Sequence, residues 1–284
     1  MQKRKRELDV AKNITDAEAI VIEVFSQLKD NHGMYGGIDT SYKYKRTSAE
    51  RFFSPAILEE YKKPRDVKTM MLSGNIAYYK MPAVIVGSDT VQMRYWANRL
   101  TDSLCKLEQQ LPAAYIIDLR MNNGGNIEPM WQALKGLIGE ENKTIMVDAY
   151  GKIVPEDMDS ASLLYRATAI PDRSCTFRKN MKVAVLVGPG TASSGEIIAA
   201  SFTTRKQTRL FGERTIGVAN VTQGFILQNK GYLLLTVAYI ASKKKKPMTE
   251  GIIQPNEYVK SETDNYTHPE QDPTVLAALK WLTK

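Results

Sequence analysis

The stretch that most constrains the fold is a short apolar run that breaks at a glycine turn and resumes as a helix. Residues 183–187 are Val-rich and few, which is typical of a strand buried on both faces. Gly188-Pro189-Gly190 ends this run, and Thr191, Ser193 and Ser194 follow as residues that commonly begin helices. Mostly apolar residues come next. The sequence therefore predicts a strand, a turn and a helix, with hydroxyl groups at the turn.

Such a turn can carry a nucleophilic serine, or its serines can be helix caps and nothing more. The turn lifts a hydroxyl clear of the sheet, and the unpaired N–H groups of a helix start can stabilise an oxyanion. Serine is also a routine residue at helix starts, so this stretch taken by itself favours the structural role. A second stretch of the chain changes that balance.

The second stretch, residues 115–126, is another apolar strand that runs into a glycine turn. The pair Gly124 and Gly125 lets backbone amides approach a ligand closely. Asp118 and Arg120 would be costly at a buried strand end unless they are paired. We therefore expect these two residues to structure the loop together with Asn122, which follows them.

Together the two stretches resemble the tail-specific, or C-terminal-processing, serine peptidase family. Its D-L-R-x-N-x-G-G loop is matched by residues 118–125, and its T-A-S-x-x-E turn by residues 191–196. Residues 209–217 and 251–256 are similar to two further family elements, with Asn256 in place of Asp. The alternation of strands and helices predicts an α/β fold. The resemblance, over about residues 75–260, implies a ClpP/crotonase-like βαβ spiral core.

The resemblance also implies roles for single residues. Ser193 is the expected nucleophile, because the reactive serine of the family stands three residues before an acidic residue, here Glu196. The expected oxyanion donors are the N–H groups of Ser194 and Gly125, with Gly124 as the less favoured choice. The implied chemistry is acyl transfer to serine followed by hydrolysis of a peptide bond.

His32 is the expected general base. The lysine branch of the family places its base in a T-x-G-K turn, but Val218 occupies the lysine position here and cannot accept a proton. A histidine-type branch, which includes the nisin resistance protein and the tricorn core protease, takes the base from upstream of the D-L-R motif. Residues 31–35 resemble that upstream element. The alternative is a histidine that merely ends a helix, stabilised there by the helix dipole.

A carboxylate that orients the imidazole is expected at Glu250 or at Glu196, although either can be purely structural. The expected partner is a peptide cleaved near its C-terminus, with a lantibiotic as one candidate. No cofactor and no metal are expected, because no Cys/His spacing indicates a metal site. Two rivals remain open: a crotonase-like acyl-CoA enzyme, and a catalytically silent peptide-binding module on the same scaffold.

The expected domain organisation has two parts. Residues 1–74 are predicted to form a small N-terminal helical cap that carries His32, and residues 75–284 the peptidase core, without a PDZ domain. Residues 151–180 are a predicted lid, because the pattern loosens there between core strands. Helical spacing and helix boundary residues predict helices over 14–30, 49–62, 89–110, 127–138 and 273–282.

Composition excludes several other classes. The 43% hydrophobic and 25% charged residues are ordinary for a globular protein, and no apolar run is long enough to span a bilayer. The net charge of +8 comes without a nucleic-acid motif, so nucleic acid is not an expected partner. Two cysteines are too few for a disulfide framework, and Cys105 is predicted to be a small core residue.

The first residues, Met-Gln-Lys-Arg-Lys-Arg, do not resemble a signal peptide. A leader or membrane anchor outside this sequence remains open. The expected location is therefore the cell surface if such a segment exists, and the cytoplasm otherwise; the oligomeric state is left open.

Overall fold

A computed structural model of the chain describes residues 6–7, 9–38, 40–44, 53–154, 166–227, 231–241 and 251–284. The helices are α1 (Ile14–Leu28), α2 (Pro55–Tyr61), α3 (Thr90–Glu108), α4 (Ile127–Ile138), α5 (Ser194–Phe202) and α6 (Pro273–Leu282). The strands are β1 (Met34–Gly36), β2 (Ser41–Tyr42), β3 (Lys68–Leu72), β4 (Ile76–Lys80), β5 (Ala114–Asp118), β6 (Ile145–Val147), β7 (Val183–Val187), β8 (Thr208–Gly212), β9 (Asn220–Ile226), β10 (Tyr232–Ala241) and β11 (Glu257–Tyr258).

The larger sheet has the strand order β11-β8-β7-β5-β4-β3. Its strands from β11 to β4 run parallel, and β3 joins the edge antiparallel to β4. Parallel strands need helices on both faces, and this explains why β4, β5 and β7 are buried along their whole length. Because these strands alternate with helices, the predicted α/β class is confirmed.

Two apolar clusters cover the two faces of the larger sheet. One face packs against α3, α4 and α5, with Leu104, Leu134 and Phe202 fully buried between helices and strands. The other face packs against α6 through Val275 and Ala278. Each large apolar side chain buried in this way contributes about 1.5–3 kcal/mol relative to an exposed one. The sheet is therefore a rigid base for the loops that leave its ends.

The smaller sheet is antiparallel and is built around β10, which pairs with β1, β6 and β9. Strand β1 follows α1 and adds β2 at its outer edge. Residues near the amino terminus are thereby attached to a sheet made from the second half of the chain. His32 lies two residues before β1, so this pairing decides where the histidine sits.

The predicted domain boundary at residue 74 stays a prediction, and β3 and β4 pair across it. Strand β3 was not anticipated from the sequence. The predicted helix over 49–62 is described only from Pro55 to Tyr61, since residues 45–52 lie outside the described ranges. None of the described helices combines the length and the apolar character needed to cross a membrane.

A disulfide bond joins Cys105 of α3 to Cys175, with the two Cα atoms 5.5 Å apart. Cys105, predicted to be a small core residue, is half-buried and forms this bond, which the sequence did not predict. Phe177, close to Cys175, packs edge-on against Tyr115 with the ring centroids 6.0 Å apart. This part of the predicted lid is thus fastened to the core, whereas residues 155–165 lie outside the described ranges.

Candidate functional site

The turn between β7 and α5 holds Ser193 in an unusual backbone conformation. Its φ is +50° and its ψ is −119°, a combination that L-residues rarely adopt and that stores strain. Ser193 is half-buried and precedes the first residue of α5, so its hydroxyl lies at a helix N-terminus. Thr191 holds the start of the turn by donating to the carbonyl of Leu119 at 2.9 Å.

Glu196 fixes this turn from within the core. Its fully buried carboxylate accepts the N–H of Ser193 at 2.9 Å, of Gly217 at 2.7 Å and of Val218 at 2.9 Å. The hydroxyl of Thr215 donates to it as well. Burial raises the pKa of Glu196, against the lowering effect of these hydrogen bonds. One carboxylate therefore joins the serine turn to the turn at residues 215–218.

The loop after β5 is structured by a buried charge cluster around Arg120. Its guanidinium contacts Asp118 at 2.7 Å, Asp264 at 2.9 Å and Asp272 at 3.0 Å. Burial would raise the pKa of Asp118, but the charge and hydrogen bonds of Arg120 outweigh it and the pKa is lowered. The sequence predicted paired charges here; Asp264 and Asp272, from the end of the chain, carried no signal that identified them as partners.

Asn122 ties the same loop to its surroundings. Its side-chain amide donates to the carbonyl of Pro82 at 3.1 Å, and its side-chain oxygen accepts the N–H of Gly124 at 3.0 Å. Its backbone carbonyl accepts the N–H of Ala192 at 3.0 Å. The glycine loop and the serine turn are thus joined directly, at the carboxyl ends of neighbouring parallel strands, where open α/β sheets bind ligands.

Two backbone N–H groups beside Ser193 have no hydrogen-bond acceptor within the described ranges, and they belong to Ser194 and Gly125. The N–H of Gly124 is already donated to Asn122, which removes it from this pair. A Cβ on Gly124 would stand 2.8 Å from the Cβ of Ser193, and one on Gly125 would overlap the carbonyl of Val84. The close approach of the two turns therefore requires both glycines.

A cavity of about 290 Å³ opens beside these groups. Ser193, Ser194 and Gly125 line it together with six apolar side chains and seven polar or charged ones. The apolar lining is Ile127, Trp131, Met146, Ile197, Val221 and Ile240. Arg166 lies 3.7 Å from Glu128, and both also line the cavity. The volume is at the lower end of the range for small-molecule sites, about 300–1,000 Å³, and suits one side chain.

His32 reaches the same region from the smaller sheet. The neighbouring Asn31 donates to the carbonyl of Gly217 at 2.7 Å, on the peptide segment that Glu196 holds by its N–H groups. Burial lowers the pKa of His32; the negative charge of Asp30 and a hydrogen bond with the backbone of Asn220 offset this only in part. The imidazole is therefore neutral at pH 7, the form that a general base requires.

No hydrogen bond joins Ser193 to His32 among the residues that the structure describes. The Nδ1 atom of His32 is buried and has no partner there. Glu250, a candidate for the orienting carboxylate, lies outside the described ranges, as do Lys243 to Lys246. The other candidate, Glu196, makes its hydrogen bonds to backbone N–H groups and Thr215. Sequence reasoning missed Asp30, which has no motif of its own, and it placed Thr215 in the T-x-G-K turn without predicting its bond to Glu196.

The chain is similar to known proteins over the segment that contains the glycine loop and the serine turn. The model of Peptidase family S41 matches residues 75–259. The nisin-resistance protein of Lactococcus lactis subsp. lactis is 25% identical over 201 residues, which cover 71% of this chain and 60% of that protein. The carboxy-terminal processing protease CtpA of Bacillus subtilis (strain 168) is 32% identical over 142 residues, which cover 50% of this chain and 28% of that protein.

A solved structure described as a lipoprotein from Streptococcus agalactiae has a similar fold. The TM-score is 0.69 at 19% sequence identity, and the alignment covers 99% of this chain and 86% of that one. The two relatives named above are longer, since the chain matches 60% of the first and 28% of the second. The family match covers well over half of the chain and includes both motifs of the site, so the chain belongs to Peptidase family S41.

Proposed function

We propose that the chain is a serine peptidase in which Ser193 is the nucleophile and His32 the general base. The observation that carries the proposal is the position of Ser193 in a strained turn, beside two N–H groups without acceptors and in the wall of a cavity. Donors fixed in this way before the reaction are what stabilises an oxyanion. The proposed donors are the N–H groups of Ser194 and Gly125.

In this mechanism His32 takes the proton of the Ser193 hydroxyl as it attacks the scissile carbonyl. The tetrahedral oxyanion accepts hydrogen bonds from the two backbone donors, and each donor contributes about 10²–10³ in rate. His32 then gives the proton to the leaving amine, and water hydrolyses the acyl-enzyme by the reverse sequence. The hydrogen bond between Ser193 and His32 is expected to form with substrate present, as catalytic contacts often do.

The proposed substrate is a peptide cleaved near its C-terminus. Its link to a lantibiotic rests on the name of one relative, the nisin-resistance protein, and on the histidine-type base. The six apolar side chains of the cavity beside Ser193 support an apolar side chain at the residue that supplies the scissile carbonyl, and Glu128, Lys143 and Arg166 make part of the same wall charged. The ClpP/crotonase-like spiral, the absence of a PDZ domain and the lid at 151–180 remain predictions within this proposal.

The first test is reaction with a fluorophosphonate followed by intact-protein mass spectrometry and peptide mapping. One adduct on Ser193 is expected, and none in Ser193→Ala. The matched control is Ser103→Ala, because Ser103 lies on α3 and bonds only to the carbonyl of Arg99. Its adduct should equal that of the unaltered chain. An adduct that persists in Ser193→Ala would reject this nucleophile.

The second test is peptide cleavage with a library of defined C-termini. Ser193→Ala should reduce cleavage by about 10⁴–10⁶-fold. Unchanged cleavage in that variant would reject the site. If the fluorophosphonate does not react at all and no peptide is cleaved, the silent binding module becomes the better description, since it needs the scaffold but not the hydroxyl.

A further inference from the structure

Asp30 holds the part of the candidate site that carries His32, and no sequence motif points to it. On one edge of β10, β1 pairs from Tyr232 to Leu234 and β6 pairs from Tyr239 to Ala241. Thr236 lies between these two pairings. Its N–H donates to Asp30 at 2.7 Å and its hydroxyl donates at 2.8 Å. The carboxylate of Asp30 therefore takes the place of a strand in the gap.

The same carboxylate closes the turn that carries the histidine. It accepts the N–H of His32 at 3.0 Å and of Gly33 at 2.9 Å. The turn is tight, because a Cβ on Gly33 would stand 2.6 Å from an Asp30 oxygen and 2.9 Å from the carbonyl of Leu234. Four hydrogen bonds thus connect Asp30 to Thr236 of β10 and to the backbone of His32 and Gly33, and hydrogen bonds to an ionised acceptor are stronger than neutral ones.

The charges around the ring act in opposite directions. Asp30 favours the protonated imidazole, whereas Lys43, just after β2, disfavours it. Burial would raise the pKa of Asp30 itself, but the hydrogen bonds from Thr236, Gly33 and His32 outweigh it and the pKa is lowered. Asp30 therefore remains ionised throughout the range in which His32 titrates.

We propose that Asp30 is a positioning residue: it clamps the His32 turn to Thr236 of β10 and so aims the imidazole at the Ser193 hydroxyl. The proposal rests on the proposed function, since it assigns His32 the role of base. It goes beyond that function by naming the group that delivers the base and the strand against which the base is fixed.

The chain offers a matched control in Glu18. This buried carboxylate also tethers the β1 segment, through the hydroxyl of Tyr35 at 3.2 Å and the N–H of Ile38 at 2.9 Å. Its partners lie in and after β1, whereas His32 precedes that strand, and among the described residues Glu18 has no hydrogen bond to the His32 turn. Asp30→Asn and Glu18→Gln each remove one negative charge that anchors the same segment, but only the first touches His32.

The experiment measures the rate of fluorophosphonate reaction at Ser193 as a function of pH, which requires no knowledge of the peptide substrate. In Asp30→Asn the rate should fall at least about tenfold at pH 8, within the 10²–10⁴ that a positioned base contributes. The acid limb of the profile should also move to lower pH, because the charge that favours the imidazolium is lost. Glu18→Gln should leave the acid limb in place.

Two further measurements sharpen the test, and the first of them stays decisive if Asp30→Asn folds poorly. Thr236→Val removes the hydroxyl that donates to Asp30 and keeps the charges of Asp30 and Lys43. It should therefore slow the reaction without moving the acid limb. NMR titration of His32 in Ser193→Ala, with His268→Gln to leave one histidine, reads the imidazole without any activity. There Asp30→Asn should lower the midpoint of the titration.

The failures can be told apart. If the unaltered chain does not react at Ser193, the proposed function fails. If it reacts and Asp30→Asn matches it in rate and acid limb, the clamp is only structural and this inference is overturned. Equal shifts of the acid limb in Asp30→Asn and Glu18→Gln would overturn it too, because a general loosening of the β1 segment would then explain the result.

Discussion

The side of the site that carries the proposed nucleophile and the side that carries the proposed base are held in different ways. Ser193 is fixed by Glu196, which is fully buried and accepts four hydrogen bonds, and by loops anchored on the buried Arg120 cluster. His32 is fixed by Asp30, which is only partly buried, next to a three-residue strand. The proposed nucleophile and oxyanion donors are therefore part of the core, while the proposed base is held by fewer and less buried contacts.

This difference matters because burial changes the strength of a polar network. In a dry interior, hydrogen bonds polarise one another and an unpaired polar group is costly. The buried network around Glu196 and Arg120 is therefore rigid. Near the surface, water competes for the same groups and the arrangement can adjust. The comparison predicts that changes on the nucleophile side affect folding and activity together, whereas changes on the base side affect activity more than folding.

The largest difference should appear at Gly217, which the two halves hold from opposite sides. Glu196 binds its N–H, and Asn31 binds its carbonyl. Glu196→Ala leaves two buried N–H groups and one half-buried N–H group without acceptors and should cost about 4 kcal/mol of unfolding free energy. The variant should also slow the reaction of Ser193 with a fluorophosphonate by at least about 100-fold, as the loss of an oxyanion donor does.

Asn31→Ala is the paired variant for that experiment. It removes one partly buried hydrogen bond and should cost only about 1 kcal/mol. Chemical denaturation gives the two free energies of unfolding, and fluorophosphonate reaction gives the two rates. Equal destabilisation by the two variants would contradict the contrast between the buried contacts that hold the Ser193 turn and the partly buried contacts that hold the His32 turn.

A smaller effect is expected from the disulfide bond. Cys105 and Cys175 are 70 residues apart in the chain, and closing a loop of that length stabilises by about 2–4 kcal/mol. A thiol reductant should therefore lower the melting temperature of the unaltered chain. The double variant Cys105→Ala, Cys175→Ala should melt at a lower temperature from the start.

The reductant should then have no further effect on the double variant, which serves as the control. Free-thiol titration must find two thiols in the unaltered chain only after reduction. If the melting temperature of the unaltered chain is insensitive to a reductant that does release both thiols, the bond does not stabilise the fold. The fastening of residues near Cys175 to α3 would then depend on packing, such as the contact of Phe177 with Tyr115.

The sequence was most informative where local pattern and burial agree. The strands at 114–118 and 183–187, both turns after them, and the helices at α1, α3, α4 and α6 follow from apolar spacing and boundary residues. Asp118 and Arg120 could be predicted to pair, because an unpaired charge at a buried strand end is too costly. These inferences use neighbours in the sequence and nothing more distant.

What could not be predicted depends on distant pairs. Arg120 binds Asp272, which is 152 residues away, and Asp30, which binds the backbone of His32, also binds Thr236, which is 206 residues away. Strand β3 was missed because an edge strand has only one partner and a weak apolar pattern. The pairing of Cys105 with Cys175 is also a long-range fact, since two cysteines do not specify whether they meet.

The smallest predicted effect concerns Asp264, the third carboxylate around Arg120. Burial raises its pKa to about 6; Arg120 opposes this, and Asp272 and Asp118 add to it. Since the folded state binds this proton more tightly than the unfolded state, its stabilising contribution is present at low pH. That contribution is lost as the pH rises from 3.8 through about 6. Asp264→Asn should therefore raise the free energy of unfolding at pH 8 by about 1–2 kcal/mol and flatten its pH dependence.

Denaturation from pH 4 to pH 8 measures this, with Asp272→Asn as the control. Asp272 accepts two hydrogen bonds from Arg120 and caps α6, so its replacement should destabilise at every pH. If Asp264→Asn instead destabilises at pH 8, all three carboxylates are needed as partners of Arg120.

The comparison of the two halves predicts one further difference between two aspartates. Asp264→Asn should change the pH dependence of stability and leave the acid limb of Ser193 reactivity unchanged, whereas Asp30→Asn should move that limb. The buried Asp264 would then affect the stability of the core, and the partly buried Asp30 the titration of the proposed base.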